Sequence, residues 1–248
     1  MALMRTGNPT LSANAFSGTQ AAAGEEPMTL QGAVHKTAIL LFLVVAASGV
    51  TWGQLRVNPT YAMKWSMIWA AAGFVTAMVT VFKKSWAPVT APVYAVLEGL
   101  LLGVLSSIFE LQYPGIVIQA VGLTFGTLAA LLLAYRSGLI KVTQNFRLGV
   151  FAATGGICIL YLVDMVMAFF GHRVPMIHES GWLGIGFSLF VVGIAALNLV
   201  LDFDFIERGA ESNQAKYMEW YAGFGLVVTL VWLYLEILRL LAKTTRRR

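Results

Sequence analysis

The sequence predicts an all-α membrane protein with seven transmembrane helices. Hydrophobic residues make up 58% of the 248 residues and charged residues only 12%, which is about half the usual charged share. The mean hydropathy is +0.74. Seven apolar stretches approach the roughly twenty residues that a helix needs to cross the hydrocarbon. None alternates apolar and polar residues as a barrel strand does, so helices are the predicted form.

Short connections separate the seven apolar stretches, and most of these connections contain proline or glycine. The stretches cover residues 37–52, 65–82, 89–109, 116–135, 148–170, 182–201 and 220–238. Five of the seven tryptophans lie at stretch ends, where the indole ring reaches the membrane interface; these are Trp52, Trp65, Trp86, Trp182 and Trp220. Two glycine pairs, Gly99 with Gly103 and Gly122 with Gly126, predict close packing of helix backbones.

The polar segments divide the chain into three parts. Residues 1–32 are predicted to form a flexible polar tail, in which Thr29 is placed to cap the first helix. Residues 33–241 are predicted to form the seven-helix transmembrane domain, and residues 242–248 a basic C-terminal tail.

Lysines and arginines in the connections predict the orientation of the chain. Nine of them share the side of the N-terminus, and three lie on the other side before the C-terminal end. This difference predicts a cytoplasmic N-terminus. If all seven stretches cross the membrane, the five basic residues from Arg239 onward lie on the side opposite the N-terminus and raise its count from three to eight. An alternative therefore stays open, in which the last stretch re-enters and leaves the tail cytoplasmic.

Composition and motifs exclude several function classes. The single cysteine, Cys158, permits no intramolecular disulfide and no thiolate metal cluster. The basic residues form no patch with interleaved aromatics, so nucleic acid is not expected as a partner. The motifs of intramembrane serine and aspartyl proteases are absent, and we expect neither an enzyme nor a cofactor. A metal site at His172, His178 and Glu179 is a weaker alternative to solvated loop side chains.

Acidic residues within the apolar stretches are the candidate functional residues, because a charge at bilayer depth costs about 2.5 to 3.5 kcal/mol on insertion scales. Glu98 is the tenth residue of the third stretch and is predicted to lie mid-membrane. Asp164 lies towards the far end of the fifth stretch. Alternatively, Asp164 has a structural role and accepts a hydrogen bond from Tyr161 or from another helix.

Three further acids lie at or near stretch ends. Asp202 and Asp204 are predicted to lie at the cytoplasmic end of the sixth stretch. Alternatively, they are ordinary acidic residues that face the following loop. Negative charge at a helix C-terminus opposes the helix dipole, so this placement needs another reason. Glu236 lies three residues before Arg239 and is predicted to pair with it, so it stays outside the candidate set.

Several short motifs resemble those of a known family. The C-terminal half carries Leu197-Asn-Leu-Val-Leu-Asp-Phe-Asp-Phe-Ile-Glu207, Trp220-Tyr-Ala-Gly-Phe-Gly and Leu233-Tyr-Leu-Glu-Ile-Leu-Arg-Leu-Leu241. The N-terminal part carries Asn8-Pro9-Thr-Leu11, Met28-Thr-Leu-Gln-Gly32 and Lys36-Thr37. Together they resemble the Bax inhibitor-1/YccA family, in particular its bacterial Bax inhibitor-1-like branch. The resemblance implies a bacterial inner-membrane protein whose last helix is packed among the other six.

The same resemblance implies a pH-sensitive calcium leak. In the relatives, two aspartates on the sixth and seventh helices share a proton and close the pore. The sixth-helix member matches Asp202, which stands four residues before Ile206, whereas Thr229 occupies the second position. Glu98 is expected at a depth similar to that of Thr229 and is the candidate replacement for the missing acid.

Two functional hypotheses follow. The first is a pathway for calcium or protons lined by acidic side chains, since hard cations prefer oxygen ligands. The residues assigned to it are Glu98, Asp164, Asp202, Asp204, Asn198 and Thr229. The second is a regulatory protein that binds and modulates another membrane protein or a membrane protease. The expected partners are the lipid bilayer, cations and, in the second hypothesis, another membrane protein.

Overall fold

The computed structural model describes residues 19–21, 24–172 and 174–246. Within these ranges, seven helices are long and apolar enough to cross a bilayer. They are α1 (Leu30–Thr51), α2 (Pro59–Phe82), α3 (Ala87–Gln112), α4 (Ile116–Arg136), α5 (Gln144–Phe169), α6 (Trp182–Glu211) and α7 (Met218–Arg246). The predicted all-α membrane class is confirmed, and the chain is a multi-pass membrane protein. The side on which the N-terminus lies stays a prediction.

Local capping explains where two of these helices begin. The hydroxyl of Thr29 accepts a hydrogen bond from the amide of Gly32 at 3.0 Å, which satisfies one of the orphan donors of α1. This confirms the predicted cap. The hydroxyl of Thr143 plays the same part for α5, where it accepts from the amide of Phe146 at 3.2 Å.

Proline and glycine set the other connections. Pro59 is the first residue of α2, a position where its missing N–H costs nothing. Gly115 has a φ of +84°, a left-handed conformation that favours glycine, and it turns the chain from α3 into α4. Short helical turns at Gln54–Val57, Lys84–Trp86 and Pro175–His178 lie in three of the connections.

The sixth helix is longer than its apolar stretch. It continues from Leu201 to Glu211, so Asp202 and Asp204 lie inside a helix and not at its end. Both are buried, with 0% and 8% exposure. The predicted helix terminus and the loop-facing alternative are therefore wrong. The reason is that the buried apolar residues Phe203, Phe205 and Ile206 alternate with these acids and keep the helix packed after the mean hydropathy has fallen.

The described part of the polar N-terminal segment is paired with the connection between α6 and α7. Isolated antiparallel bridges join Gln20 to Gln214 and Pro27 to Ala215. The amide of Met28 donates to the carbonyl of Gln214 at 2.6 Å, and the Met28 side chain is buried. The sequence predicts a flexible tail up to residue 32, whereas α1 already begins at Leu30. Residues 1–18 lie outside the described part of the chain.

The chain folds into two compact units. The N-terminal unit comprises the described residues of Asn14–Pro114 together with Phe205–Val228. The C-terminal unit comprises Gly115–Asp204 and the described residues of Thr229–Arg248. Helix α7 contributes to both units and is the most buried span, with 61% of its most apolar segment buried against 44% or less in the others. The packing of the last helix among the other six stays a prediction.

One of the two glycine pairs packs helix against helix. A Cβ atom at Gly99 would overlap the carbonyl oxygen of Val44, and one at Gly103 would overlap the hydroxyl of Thr51. The backbones of α1 and α3 therefore touch at these glycines, as predicted. In contrast, no described atom lies within 4 Å of a Cβ placed at Gly122 or Gly126. The prediction of close packing is wrong for this second pair.

Candidate functional site

Three polar residues of α5 repeat at intervals of seven. They are Arg147, Thr154 and Tyr161. Seven residues make almost two helical turns, so the three side chains share one face of α5. Each of them contacts a polar residue of α6 or α7, and these contacts all lie within the C-terminal unit.

Arg147 and Asp204 form the first of these contacts. One guanidinium nitrogen, Nη2, lies 2.8 Å from Oδ2 and 3.1 Å from Oδ1 of the carboxylate. Each side chain is only 12% exposed. Because the two charges are largely withdrawn from water, they balance each other where neither would be stable alone.

Thr154 and Asn198 form the second contact. The amide nitrogen of Asn198 donates to the hydroxyl of Thr154 at 2.8 Å and to the carbonyl of Ile194 at 2.9 Å. Asn198 is 1% exposed. Its carbonyl oxygen, Oδ1, is buried and accepts no hydrogen bond from the described residues. Such an oxygen is a suitable ligand for a hard cation.

Asp202 lies one helical turn beyond Asn198, so the two share a face of α6. Asp202 is fully buried. On α7, Thr229 is also buried, and it begins a second series at intervals of seven that continues with Glu236 and Lys243. These three side chains share one face of α7 for the same geometric reason.

Tyr161, Glu236 and Arg239 form the third contact. The Tyr161 hydroxyl donates to Oε1 of Glu236 at 2.9 Å and accepts from Nη1 of Arg239 at 2.7 Å. Nη1 of Arg239 also lies 2.8 Å from the same Oε1, which confirms the predicted pair. Glu236 is 2% exposed, so its charge is held by the guanidinium and the phenol instead of by water.

Lys243 makes the last contact, between α7 and the beginning of α6. Its ammonium donates to the carbonyl of Gly184 at 3.0 Å and to the hydroxyl of Ser188 at 2.8 Å. The residue is 6% exposed.

We call this set the polar seam. Its members are Arg147, Thr154, Tyr161, Ser188, Asn198, Asp202, Asp204, Thr229, Glu236, Arg239 and Lys243. The fourteen residue steps from Arg147 to Tyr161 rise about 21 Å, and the fourteen steps from Thr229 to Lys243 rise as much. The seam is therefore comparable in length with the hydrocarbon core of about 30 Å.

The seam contains four of the six residues that the sequence assigned to the pathway, namely Asn198, Asp202, Asp204 and Thr229. Asp164 has a different environment. Its Oδ1 accepts from the amide of Val174 at 2.9 Å and its Oδ2 lies 2.8 Å from Nε2 of His178. Asp164 thus fixes the connection between α5 and α6. The hydroxyl of Tyr161, the alternative partner from the sequence, donates to Glu236 instead.

Glu98 belongs to the N-terminal unit, on α3. It is half-buried and hydrogen-bonds with Tyr94, one turn earlier in the same helix. Its Oε2 would lie 3.7 Å from a Cβ placed at Gly73 of α2. Its proposed replacement of the missing acid stays a prediction.

The weaker metal alternative gains no support. Within the described residues, no three His, Cys, Asp or Glu side chains are grouped closely enough to hold a metal ion. His178 is instead engaged with Asp164.

Sequence reasoning missed most of the basic and neutral members of the seam. From the sequence, Arg147 is one of the basic residues of a connection, whereas α5 begins at Gln144 and includes it. The signal that identifies these residues is the spacing of seven in both α5 and α7, because it places polar side chains of an apolar helix on one face. Partners on another helix cannot be assigned from such spacing alone.

Comparison with known protein families places the whole membrane domain in one family. The model of the family described as Bax inhibitor 1 like matches residues 8–246, nearly the whole chain. The chain belongs to the Bax inhibitor 1-like family. No curated protein and no solved structure gives a significant match. The family predicted from the short motifs is confirmed, whereas the bacterial branch and the inner-membrane location stay predictions. This Bax inhibitor 1-like protein thus combines seven apolar helices with a buried polar seam.

Proposed function

We propose that this protein is a pH-sensitive cation leak, with calcium or protons passing along the polar seam. The observation that carries the proposal is the row of buried carboxylates on α6 and α7, namely Asp202, Asp204 and Glu236. An acid within a membrane helix is costly and marks an ion or proton route by default. Carboxylate and carbonyl oxygens are also the ligands that hard cations prefer.

The ion pairs of the seam correspond to a non-conducting arrangement. Arg147 holds Asp204, and Arg239 holds Glu236, so two of the three carboxylates are neutralised by guanidinium groups. A cation enters this route only after a pair separates. Protonation of a carboxylate removes its attraction for the guanidinium, which gives the leak a dependence on pH.

Asn198 and Asp202 form the cation-binding position in this proposal. The buried Oδ1 of Asn198 and the carboxylate of Asp202, one turn apart on α6, supply oxygen ligands to the same face of the helix. Hard cations prefer such ligands. Arg147 and Arg239 then act as the groups that open and close access to this position.

The test is flux in liposomes that contain the purified full-length chain. Vesicles loaded with a calcium indicator, and a parallel set with a pH indicator, would be compared with protein-free vesicles from pH 6 to 8. We expect protein-dependent cation entry that changes with pH. No flux above the protein-free vesicles would contradict the leak and favour the second hypothesis, a regulatory protein that binds another membrane protein.

A further inference from the structure

An apolar groove of about 370 Å³ lies along α2 in the N-terminal unit. Five side chains of α2 line it, and they are Phe74, Val75, Met78, Val79 and Phe82. Phe74 and Phe82 are 65% and 81% exposed, so the groove opens outward. Because α2 is a membrane span, an outward groove of this kind faces the acyl chains of the bilayer.

Lys83 and Trp86 close one end of this groove. The ammonium of Lys83 lies 4.6 Å from the centroid of the Trp86 ring. Among the described residues, no carboxylate pairs with Lys83. The groove is therefore apolar along its length and positive where α2 ends, at the level where tryptophan and lysine meet the lipid headgroups.

Two further lysines reinforce the positive charge of this unit. Lys84 follows Lys83 in the chain and lies over the ring of Tyr221, 6.0 Å from its centroid. Lys36 lies 4.9 Å from the centroid of the neighbouring Trp220 ring. Since Trp220 and Tyr221 are adjacent, the three lysines lie towards one end of the N-terminal unit.

The acidic residue next to these rings is already engaged. Glu219 is 1% exposed. It accepts hydrogen bonds from the amide and the hydroxyl of Thr29, both at 3.0 Å, and lies 3.2 Å from the ammonium of Lys216. Its charge is directed to these partners, and Lys83 is the charged side chain that lines the groove.

We propose that this groove binds a phospholipid with an anionic headgroup, with an acyl chain along α2 and the phosphate at Lys83. The apolar side chains match the acyl chain, and the lysines match the net negative headgroup. A zwitterionic headgroup carries the same phosphate but adds a cation that the lysines repel. The site is independent of ion conduction by the seam.

The experiment measures lipid binding by native mass spectrometry of the full-length chain. Phosphatidylglycerol and phosphatidylcholine with identical acyl chains are titrated separately. We expect phosphatidylglycerol to bind about fivefold more tightly than phosphatidylcholine, because one interfacial lysine contributes about 1 kcal/mol to the binding of an anionic lipid. Lys83→Gln should lower this preference clearly, and Lys83→Arg should keep it. Lys64→Gln, which removes a lysine near the beginning of α2, should also keep it.

A second variant tests the groove itself. Val79→Trp fills the apolar surface and should weaken the binding of both lipids while the preference at Lys83 persists. Equal affinity for the two lipids, or a preference that Lys83→Gln leaves unchanged, would overturn the proposal. A third result would also overturn it. If Val79→Trp left lipid binding unchanged but light scattering showed that the variant had lost a dimer, the groove would be a contact between two copies of the chain.

Discussion

Arg147 of α5 and Asp204 of α6 form a buried ion pair, with one guanidinium nitrogen 2.8 Å and 3.1 Å from the two carboxylate oxygens. Both side chains are 12% exposed. Removing one member of such a pair leaves a charge that neither water nor a partner compensates. The pair therefore fixes how α5 meets α6 at this end of the polar seam.

The pair predicts strong coupling between two substitutions. Arg147→Gln or Asp204→Asn alone should lower the free energy of unfolding by about 3 kcal/mol. The double variant should lose clearly less than the sum, because no unpaired charge is left behind. Reversible unfolding in mixed micelles gives the free energy of unfolding of the wild type, the two single variants and the double variant. Additive losses would show that the two side chains do not stabilise each other.

The two glycine pairs predict opposite outcomes for the same substitution. Gly99→Ala places a Cβ against the carbonyl oxygen of Val44 and should destabilise the protein by about 1 to 3 kcal/mol. Gly122→Ala meets no described atom within 4 Å and should be neutral or stabilising by up to about 1 kcal/mol. Thermal unfolding of the two variants provides the comparison. Equal shifts in Tm would contradict the backbone contact between α1 and α3.

Thr229 predicts how the pH response can be changed. A second acid on the seam face of α7 would add a carboxylate to a buried set in which neighbouring acids cannot easily all ionise. We expect Thr229→Asp to make cation flux depend more steeply on pH between 6 and 8 than in the wild type. Thr229→Asn, with similar shape and no charge, is the control. The same steepening in both variants would exclude charge as the cause.

Lys216 lies outside the membrane spans, and its ion pair with Glu219 predicts how its ammonium titrates. Its hydrogen bond to Glu219 raises the pKa of the Lys216 ammonium above its ordinary value of 10.5. Because the folded value is raised, the stabilising contribution is present below pH 10.5 and is lost as the pH rises through the folded value. Carbon NMR of labelled lysine should show Glu219→Gln lowering this pKa. Glu26→Gln, 3.6 Å away and exposed, should lower it less.

Hydropathy predicted the fold because bilayer thickness sets the length of a span whatever its tertiary contacts. It failed at the end of α6. There, Asp202 and Asp204 lower the local hydropathy, yet the helix runs on to Glu211 because Phe203, Phe205 and Ile206 are buried between and after the acids. The mean hydropathy of a segment does not detect that alternation of acidic and buried apolar residues.

The site was predicted only in part for a related reason. The cost of a buried charge selected Asp202 and Asp204, which are buried, but the same rule selected Asp164, which binds the connection at Val174 and His178. Whether an acid faces a neighbouring helix or a loop depends on helix rotation. The sequence explains the charge of Glu236 locally through Arg239, whereas in the structure Tyr161 of α5 joins that pair to the seam.

The most direct test compares cation flux for Asp202→Asn with that for Asp164→Asn in matched liposomes. Both variants replace a carboxylate by an amide of the same shape, but only Asp202 lies in the polar seam. We expect Asp202→Asn to lower calcium or proton flux about tenfold, the effect of about 1.4 kcal/mol of lost ion stabilisation. Asp164→Asn should keep wild-type flux. Equal flux in the two folded variants would contradict the assignment of the ion route to the seam.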